Sequence, residues 1–161
     1  MAENKHLTPV WIVYVDGKRL DTEHEGALLN INVTDMVNGI STCLLTFDTS
    51  AVDLRTKGTF ALESKITIHL GYKDDCAEVF NGEITAFHTV LKENGGDILE
   101  VKGANVLHKL NHARNSASFT EKTAEEIIKG LLDTYSLKAK VDSFGPKLDF
   151  RMEQTATDYE Y

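Results

Sequence analysis

The sequence predicts a mainly β fold with an α+β extension: a small antiparallel β-barrel followed by a partial α/β module. Short runs of β-branched and aromatic residues, separated by glycine-containing turns, fill about the first 110 residues. Only one amphipathic helix pattern is strong, and it comes after those runs. We therefore predict a barrel domain at 1–112 and the start of a second, α+β module at 113–161.

In the barrel region, the first strand is predicted at 8–15 and ends in the turn Asp16-Gly17. Residues 29–34 alternate apolar with polar side chains, which is typical of a strand with one buried and one wet face. The apolar face of that strand would consist of Leu29, Ile31 and Val33. Asn38-Gly39 favours a type I′ turn, because this turn needs positive φ at both central positions, and it would lead into a strand at 40–48.

The later strands are longer. Residues 65–72 alternate clearly, and two long strands are predicted at 79–91 and 98–110, joined by the turn at 94–96. The pair Asn81-Gly82 allows two interpretations, a turn or one strand bent at a glycine. The total of about six or seven strands fits a small barrel or sandwich.

After a polar linker at 112–118, one helix is predicted at 123–135. Thr123 is the expected N-cap, and Glu126 three residues later completes a capping box. The apolar stripe of this helix consists of Ile127, Ile128, Leu131, Leu132 and Tyr135. Gly130 lies off the stripe, and the sequence gives no reason for it.

Two short strands are predicted beyond the helix, at 138–141 and 147–154. Thr157 and Glu160 then repeat the capping-box spacing, so a further helix is predicted to begin within one turn of the last residue. Because so short a helix is unstable in water, we expect this chain to be a piece of a longer protein.

Composition argues against several functions. The chain has 17 basic and 25 acidic residues, a net charge of −8, and this argues against nucleic-acid binding because phosphate contacts need clustered Lys and Arg. No apolar run approaches the ~20 residues that cross a bilayer, so neither membrane insertion nor a signal peptide is predicted. Cys43 and Cys76 are predicted to be free thiols rather than a disulfide.

No catalytic or cofactor motif is visible. His108 and His112 have the i, i+4 spacing of a metal pair, but they lie at a predicted strand end without an HExxH pattern, so we predict no metal site, no cofactor and no catalytic residue. The GxSxG, P-loop and GxGxxG patterns are absent as well. His69, His88 and Trp11 are expected to be ordinary barrel residues.

The order of elements in 65–161 resembles the hub part of contractile injection machines. A strand ending in Gly71-Tyr72 is followed by an acidic loop and then by Phe80-Asn81-Gly82-Glu83-Ile84. A Gly-rich turn, a strand that enters Gly103-Ala104, the segment Ser118-Phe119-Thr120 and the helix TAEEIIKGLL come next. This ordered set is similar to phage late control protein D, the baseplate hub, and to the VgrG spike proteins of type VI secretion.

The resemblance implies that the first module is one of two barrels per subunit, and that three subunits form a ring adapting a six-fold tail tube to a three-fold spike. It implies a homotrimer of the full-length protein, with tail-tube, spike and baseplate proteins as partners. It further implies assembly in the cytoplasm and delivery by the machine without a signal peptide. It favours one continuous strand through Asn81-Gly82. The interface residues stay unknown.

Two other functions remain open from the sequence. A ligand-binding β-barrel would need exposed aromatic residues around a cleft, and the candidates are Tyr14, Tyr72, Phe80 and Phe87. A cell-wall hydrolase would need a pair of carboxylates, which requires no fixed spacing and which nothing in the sequence selects.

Overall fold

The computed structural model describes residues 8–50, 58–72, 75–93, 96–112, 114, 116–142, 145–147, 149, 152–153 and 156–160. The chain divides into two compact units, Met1–Asn105 and Val106–Tyr161. This division lies before the predicted boundary between 112 and 113. The assignment of 1–112 and 113–161 as domains stays a prediction.

The described part of the first unit contains seven strands. They are β1 (Pro9–Val15), β2 (Lys18–Arg19), β3 (Leu28–Thr34), β4 (Thr42–Asp48), β5 (Lys65–Tyr72), β6 (Asp75–Val90) and β7 (Ile98–Ala104). They form one antiparallel sheet in the order β2-β1-β5-β6-β7-β4-β3. The predicted mainly β, antiparallel fold is confirmed. Within the described residues the outermost strands, β2 and β3, do not pair with each other, so hydrogen bonds do not close the sheet into a full barrel.

One apolar core lies against the sheet and draws residues from strands near both edges. Val13 of β1 and Phe47 of β4 are fully buried in the same cluster, although several strands separate them in the sheet. The sheet therefore curves around its core. Ile66 and Ile68 of β5 are also fully buried, and Trp11 packs against the cluster, as the alternating pattern and the apolar neighbours of Trp11 predict.

β6 is one continuous strand of 16 residues that passes through Asn81-Gly82, so the prediction of a single bent strand is confirmed. Its first part pairs with β5 as far as Glu83, and its second part pairs with β7 from Glu83 onward. The register shifts once in each part, which leaves Val79 and Thr85 as extra, bulged residues. β6 therefore belongs to two ladders that meet at one residue.

The predicted turns at Asp16-Gly17 and Asn38-Gly39 differ in outcome, and the turn predicted at 94–96 includes residues 94 and 95, which lie outside the described part. Asp16 and Gly17 have φ of 49° and 75°, so this turn forms as predicted. The β3–β4 hairpin is confirmed, but the type I′ turn is wrong, because neither Asn38 nor Gly39 has positive φ. The longer loop is closed by the Ser41 hydroxyl, which donates to an Asp35 carboxylate oxygen at 2.6 Å and accepts from the Met36 amide at 3.2 Å.

Two features near β3 were not predicted. A register shift between Leu28 and Asn30 turns Leu28 toward the core and leaves Leu29 60% exposed, so Leu29 does not join the buried face with Ile31 and Val33. A short helix, α1 (Thr22–Ala27), precedes the strand. The sequence did not predict it because it has six residues and contains Gly26.

The second unit contains a 3₁₀ helix (Val106–Asn111), β8 (Ser118–Phe119), α2 (Ala124–Thr134) and β9 (Met152–Glu153). β8 and β9 pair antiparallel. The predicted extension of the preceding strand to 110 is wrong, because β7 ends at Ala104 and the 3₁₀ helix follows. Leu107 and Leu110 are three residues apart, which is the repeat of a 3₁₀ helix and would place them on opposite faces of a strand.

α2 begins as predicted. The Thr123 amide donates to Glu126 Oε2 at 2.9 Å, and the Glu126 amide donates to Thr123 Oγ1 at 3.2 Å, which is a complete capping box. Ile127 of the predicted stripe is buried. Ile128 is 38% exposed, so it does not belong to the covered face.

α2 ends in a Schellman motif. The Leu137 amide donates to the Leu132 carbonyl at 2.9 Å and the Ser136 amide donates to the Asp133 carbonyl at 3.0 Å, with Ser136 at φ 56°. No strand forms at 138–141, so that prediction is wrong. Of the strand predicted at 147–154, the described residues contain only β9, and residues 148, 150, 151 and 154 lie outside the described part.

The second predicted capping box is also present. The Thr157 amide donates to Glu160 Oε2 and the Glu160 amide donates to Thr157 Oγ1, both at 3.2 Å. Beside it, the Tyr135 hydroxyl donates to Asp158 Oδ2 at 2.5 Å. The Tyr135–Asp158 bond ties the last described turn to the end of α2.

Candidate assembly surface

The two edges of the seven-stranded sheet differ in length and chemistry. β2 has two residues, both exposed and basic, and β1 beside it begins with Pro9. β3 has seven residues, Leu28–Thr34, with no charged side chain and no proline. It pairs with β4 on one side, and no other described strand pairs with its outer side. The β3 edge is therefore the longer and less protected one.

Three large apolar side chains lie at or beside β3 and are exposed. Leu29 is 60%, Met36 54% and Val37 100% exposed. Met36 and Val37 follow the strand in the β3–β4 loop. Single exposed apolar residues are ordinary. Here three of them lie within one stretch of nine residues, at or next to a sheet edge, so this part of the unit is a candidate contact surface.

The chain segment that contains β3 carries acidic side chains but neither lysine nor arginine. Residues 20–50 contain five carboxylates and no Lys or Arg: Asp21, Glu23, Glu25, Asp35 and Asp48. At the border of this segment, Arg19 pairs with Glu25 at 2.7 Å. Hydrogen bonds from Ser50, with a smaller attraction from Lys92, lower the pKa of the Asp48 carboxyl below its usual value. The chain segment that carries the β3 edge is therefore acidic at neutral pH.

A buried histidine anchors α1 to the rest of the first unit. His24 is fully buried, its Nδ1 lies 2.7 Å from Asp21 Oδ1, and its ring meets the ring of Phe60 edge to face at 5.5 Å between centroids. Asp21 also caps α1, because its side chain accepts from the His24 amide at 2.9 Å. The contacts between Asp21 and His24 therefore fix the position of α1, from which the chain enters β3.

Both cysteines are free, as predicted. Cys43 of β4 is buried, and this burial raises the pKa of its thiol to about 12. Cys76 of β6 is half-buried.

The Asp16 carboxyl, in the turn after β1, has a pKa below its usual value. Hydrogen bonds from Ser64 and from the Lys65 amide lower it.

The histidines considered in the sequence lie at three separate places in the structure. His108 and His112 lie on the 3₁₀ helix segment and beside its end, with rings edge to face at 5.0 Å between centroids. His69 of β5 meets Tyr14 of β1 in the same manner at 5.6 Å, and His88 of β6 is exposed. No group of three or more His, Cys, Asp or Glu side chains within the described ranges is placed to hold a metal ion.

The aromatic residues considered for ligand binding do not converge. Phe80 is buried in the core, whereas Tyr72 and Phe87 are 47% and 39% exposed at separate places on β5 and β6. An open recess of about 400 Å³ on the sheet is lined by Asn32, Thr34, Thr42, Cys43, Leu44, Thr85, Lys102, Gly103 and Ala104. None of these is aromatic, which counts against a ligand-binding barrel. In the part of the chain that the structure describes, no helix is long and apolar enough to cross a membrane.

A family model described as the Alg8 N-terminal domain matches residues 5–161. The chain belongs to this family. None of the curated proteins matches its sequence. The match to this family model covers both compact units of the chain.

Several solved structures share the fold of this chain. A 43 kDa tail protein of prophage MuSo2 from Shewanella oneidensis has a TM-score of 0.70 at 15% identity, over 95% of this chain and 46% of that protein. A component of the E. coli type VI secretion system, described as structurally similar to the T4 bacteriophage tail proteins gp27 and gp5, has a TM-score of 0.62 at 14% identity, over 91% and 40%. A tail protein of Neisseria meningitidis MC58 has 0.60 at 15%, over 94% and 43%.

These likenesses confirm, at the level of the fold, the resemblance to phage tail proteins and to a type VI secretion component. The chain spans less than half the length of each of the three proteins. Sequence reasoning did not single out the β3 edge as a surface. The available signal was the run of 31 residues, 20–50, without Lys or Arg.

Proposed function

We propose that this chain is a structural hub or spike-base component of a contractile injection machine, either phage-tail-like or of the type VI kind, and that it adapts the tail tube to the spike. One observation carries the proposal: the fold of a prophage tail protein is matched along 95% of the chain at a TM-score of 0.70. The type VI component with the same fold supports it from a second machine.

Such a component acts by shape and by contacts between subunits, not by catalysis. The first unit offers sheet edges and exposed apolar side chains for contacts with neighbouring proteins of such a machine. We assign it no enzymatic activity and no cofactor. A zymogram on cell wall with the intact gene product checks this assignment, and a cleared band that survives purification would contradict it.

The partners follow from the same role. The intact gene product forms a homotrimer and contacts tail-tube, spike and baseplate proteins. It assembles in the cytoplasm and is delivered by the machine without a signal peptide. It binds no nucleic acid, since the net charge of −8 disfavours a phosphate-binding surface.

Light scattering of the intact gene product, coupled to size exclusion over a range of salt concentrations, tests the oligomeric state. The expected result is the mass of a trimer that persists as salt rises, because hub contacts depend on shape and apolar area. A monomer at every salt concentration counts against the hub role.

Binding to the tube tests the role itself. The tube protein encoded beside this gene, assembled and pelleted by centrifugation, should carry the intact gene product into the pellet. The matched control is a tube protein from an unrelated machine, which should leave it in the supernatant. Equal pelleting with both tubes, or with neither, contradicts tube adaptation. Sheath and tube genes next to this gene would separate a phage tail from a type VI machine.

A further inference from the structure

Among the described residues, no strand pairs with the outer side of β3 (Leu28–Thr34), and this edge lacks the usual protection. Natural sheets blunt their edges with short strands, prolines, bulges or charged side chains, above all lysine. β3 has one bulge at its start, and its remaining residues Asn30–Thr34 carry no charge and no proline. The opposite edge has the usual protection, because β2 contains only Lys18 and Arg19 and β1 starts with Pro9.

The side chains of β3 define what a neighbouring strand must present. Ile31 and Val33 are only half-buried although they pack against the core, so an added strand would cover their remaining surface. Asn30, Asn32 and Thr34 are exposed on the other face. Since side chains alternate along a strand, the added segment needs apolar residues at every second position and polar residues between them.

The ends of the edge add an apolar and an acidic requirement. Leu29 at the start and Met36 and Val37 after the end are exposed, and methionine is enriched in protein interfaces. Glu23 lies before the strand and Asp35 directly after it, in a segment without Lys or Arg. A segment with basic residues at its ends would therefore be attracted to both ends of β3.

The same charges argue against a second copy of this chain as the occupant. If two β3 strands paired antiparallel, Asp35 of one copy would lie beside the start of the partner strand, where the partner's α1 carries Glu23 and Glu25. Like charges at both ends of the paired strands disfavour that arrangement.

We propose that the β3 edge, with Leu29, Met36 and Val37, is a strand-addition site for an extended segment of a different protein. That segment is apolar at alternate positions and carries Lys or Arg at both ends. The site goes beyond the hub role, because it rests on the edge, the exposed side chains and the charges of this chain alone.

Two labelled synthetic peptides test the proposal on the chain as it exists. One has the sequence KKVTITVKK and the other EEVTITVEE, so they share one alternating centre and differ only in the charge of their ends. Fluorescence anisotropy should show the basic peptide binding about tenfold more tightly at low salt, with the difference shrinking as salt rises. Equal affinity for the two peptides, or no binding of either, overturns the proposal.

Hydrogen exchange locates the bound peptide. The basic peptide should slow amide exchange in Leu28–Thr34, and protection confined to other strands overturns the assignment. If β3 amides exchange as slowly as those of central β4 before any peptide is added, the edge is already covered and the proposal fails. Sedimentation that shows a dimer with protection of β3 makes a second copy the occupant, which also overturns it.

Charge reversal provides the matched variants. The pair Glu23→Lys and Asp35→Lys should reverse the preference, so that the acidic peptide binds more tightly. The pair Asp75→Lys and Glu78→Lys makes the same change in net charge at exposed positions of β6, away from β3. That control should keep the original preference. If both pairs of substitutions change peptide binding alike, net charge alone explains it and no site at β3 is needed.

Discussion

At the scale of single residues, Gly82 decides how β6 passes between its two neighbours. A Cβ added at Gly82 would lie 2.2 Å from the Ala104 carbonyl oxygen and 2.8 Å from the ring of Phe80. The first of these neighbours is backbone at the end of β7 and has no room to move. The glycine that looked like a possible turn in the sequence is needed because two strands approach closely there.

Gly82→Ala should destabilise the first unit by roughly 1–3 kcal/mol, because the added carbon must push β7 away. Gly26→Ala in α1 is the matched control, since nothing lies within 4 Å of its Cβ position. It should be neutral or stabilising by up to ~1 kcal/mol through helix propensity. Urea unfolding curves of the three proteins measure this. Equal stability of Gly82→Ala and the parent would contradict the close approach.

Cys43 and Cys76 should differ sharply in reactivity. Only the thiolate is nucleophilic, and burial raises the pKa of the Cys43 thiol from 9.0 to about 12. In a Cys76→Ser variant at pH 8, iodoacetamide should therefore leave Cys43 unmodified until the protein is unfolded. In a Cys43→Ala variant, Cys76 should be labelled in the native state. Mass spectrometry of the intact proteins reads both outcomes.

The same burial gives a pH dependence with a definite sign. The unfolded chain loses the Cys43 proton near pH 9.0, whereas the folded chain keeps it to about 12. The unfolded state is therefore favoured as pH rises through this interval, and the free energy of unfolding falls. Cys43→Ala should show a shallower fall between pH 9 and 11. An identical slope in both proteins would contradict the raised pKa.

At the scale of elements, α2 was predictable from the sequence because its signals are local. Thr123, Glu126 and the apolar residues behind them lie within a few turns, and the capping box formed as expected. Thr123→Ala should lower the stability of the second unit by ~1 kcal/mol, whereas Thr123→Ser should keep most of it. Circular dichroism during thermal unfolding measures the loss. A Thr123→Ala protein as stable as Thr123→Ser would count against the cap.

The other end of α2 offers a stabilising change. Ser136 holds φ at 56°, a conformation that glycine adopts without cost and other residues do not. Ser136→Gly should therefore stabilise the helix end by roughly 0.5–1 kcal/mol. Ser136→Ala keeps the unfavourable conformation and should bring no gain. The difference in the denaturant midpoints of these two variants is the measurement.

Elements that depend on long-range contacts were less predictable. Strand β5 follows from alternation and β1 from its β-branched and aromatic residues, but the bulge that exposes Leu29 comes from pairing with β4, which no local pattern encodes. The end of β7 was missed for another reason: Val106, Leu107 and Leu110 continue the apolar composition of the strand, although their spacing suits the 3₁₀ helix observed. The β3 edge became visible only with the strand order.

At the scale of the whole molecule, the charge distribution is more informative than its sum. The net charge is −8, and the 31 residues from 20 to 50 contribute five carboxylates without one Lys or Arg. Labelled duplex DNA should therefore show no binding by anisotropy at low salt, where phosphate contacts are strongest. A salt-sensitive complex would contradict this prediction. A commercial basic DNA-binding protein serves as the positive control.

The place of β6 in the sheet has a consequence for how the first unit folds. β1 pairs with β5 and β4 pairs with β7 across more than forty intervening residues, and among the described strands β6 alone connects the β1–β5 pair with the β4–β7 pair. Such non-local pairing raises the entropy cost of the folding transition state, so folding in the millisecond-to-second range is expected. During synthesis, the β3–β4 hairpin leaves the ribosome well before β7 exists to cover its other side. The nascent chain therefore presents an unfinished sheet for longer than a helical protein of equal length would.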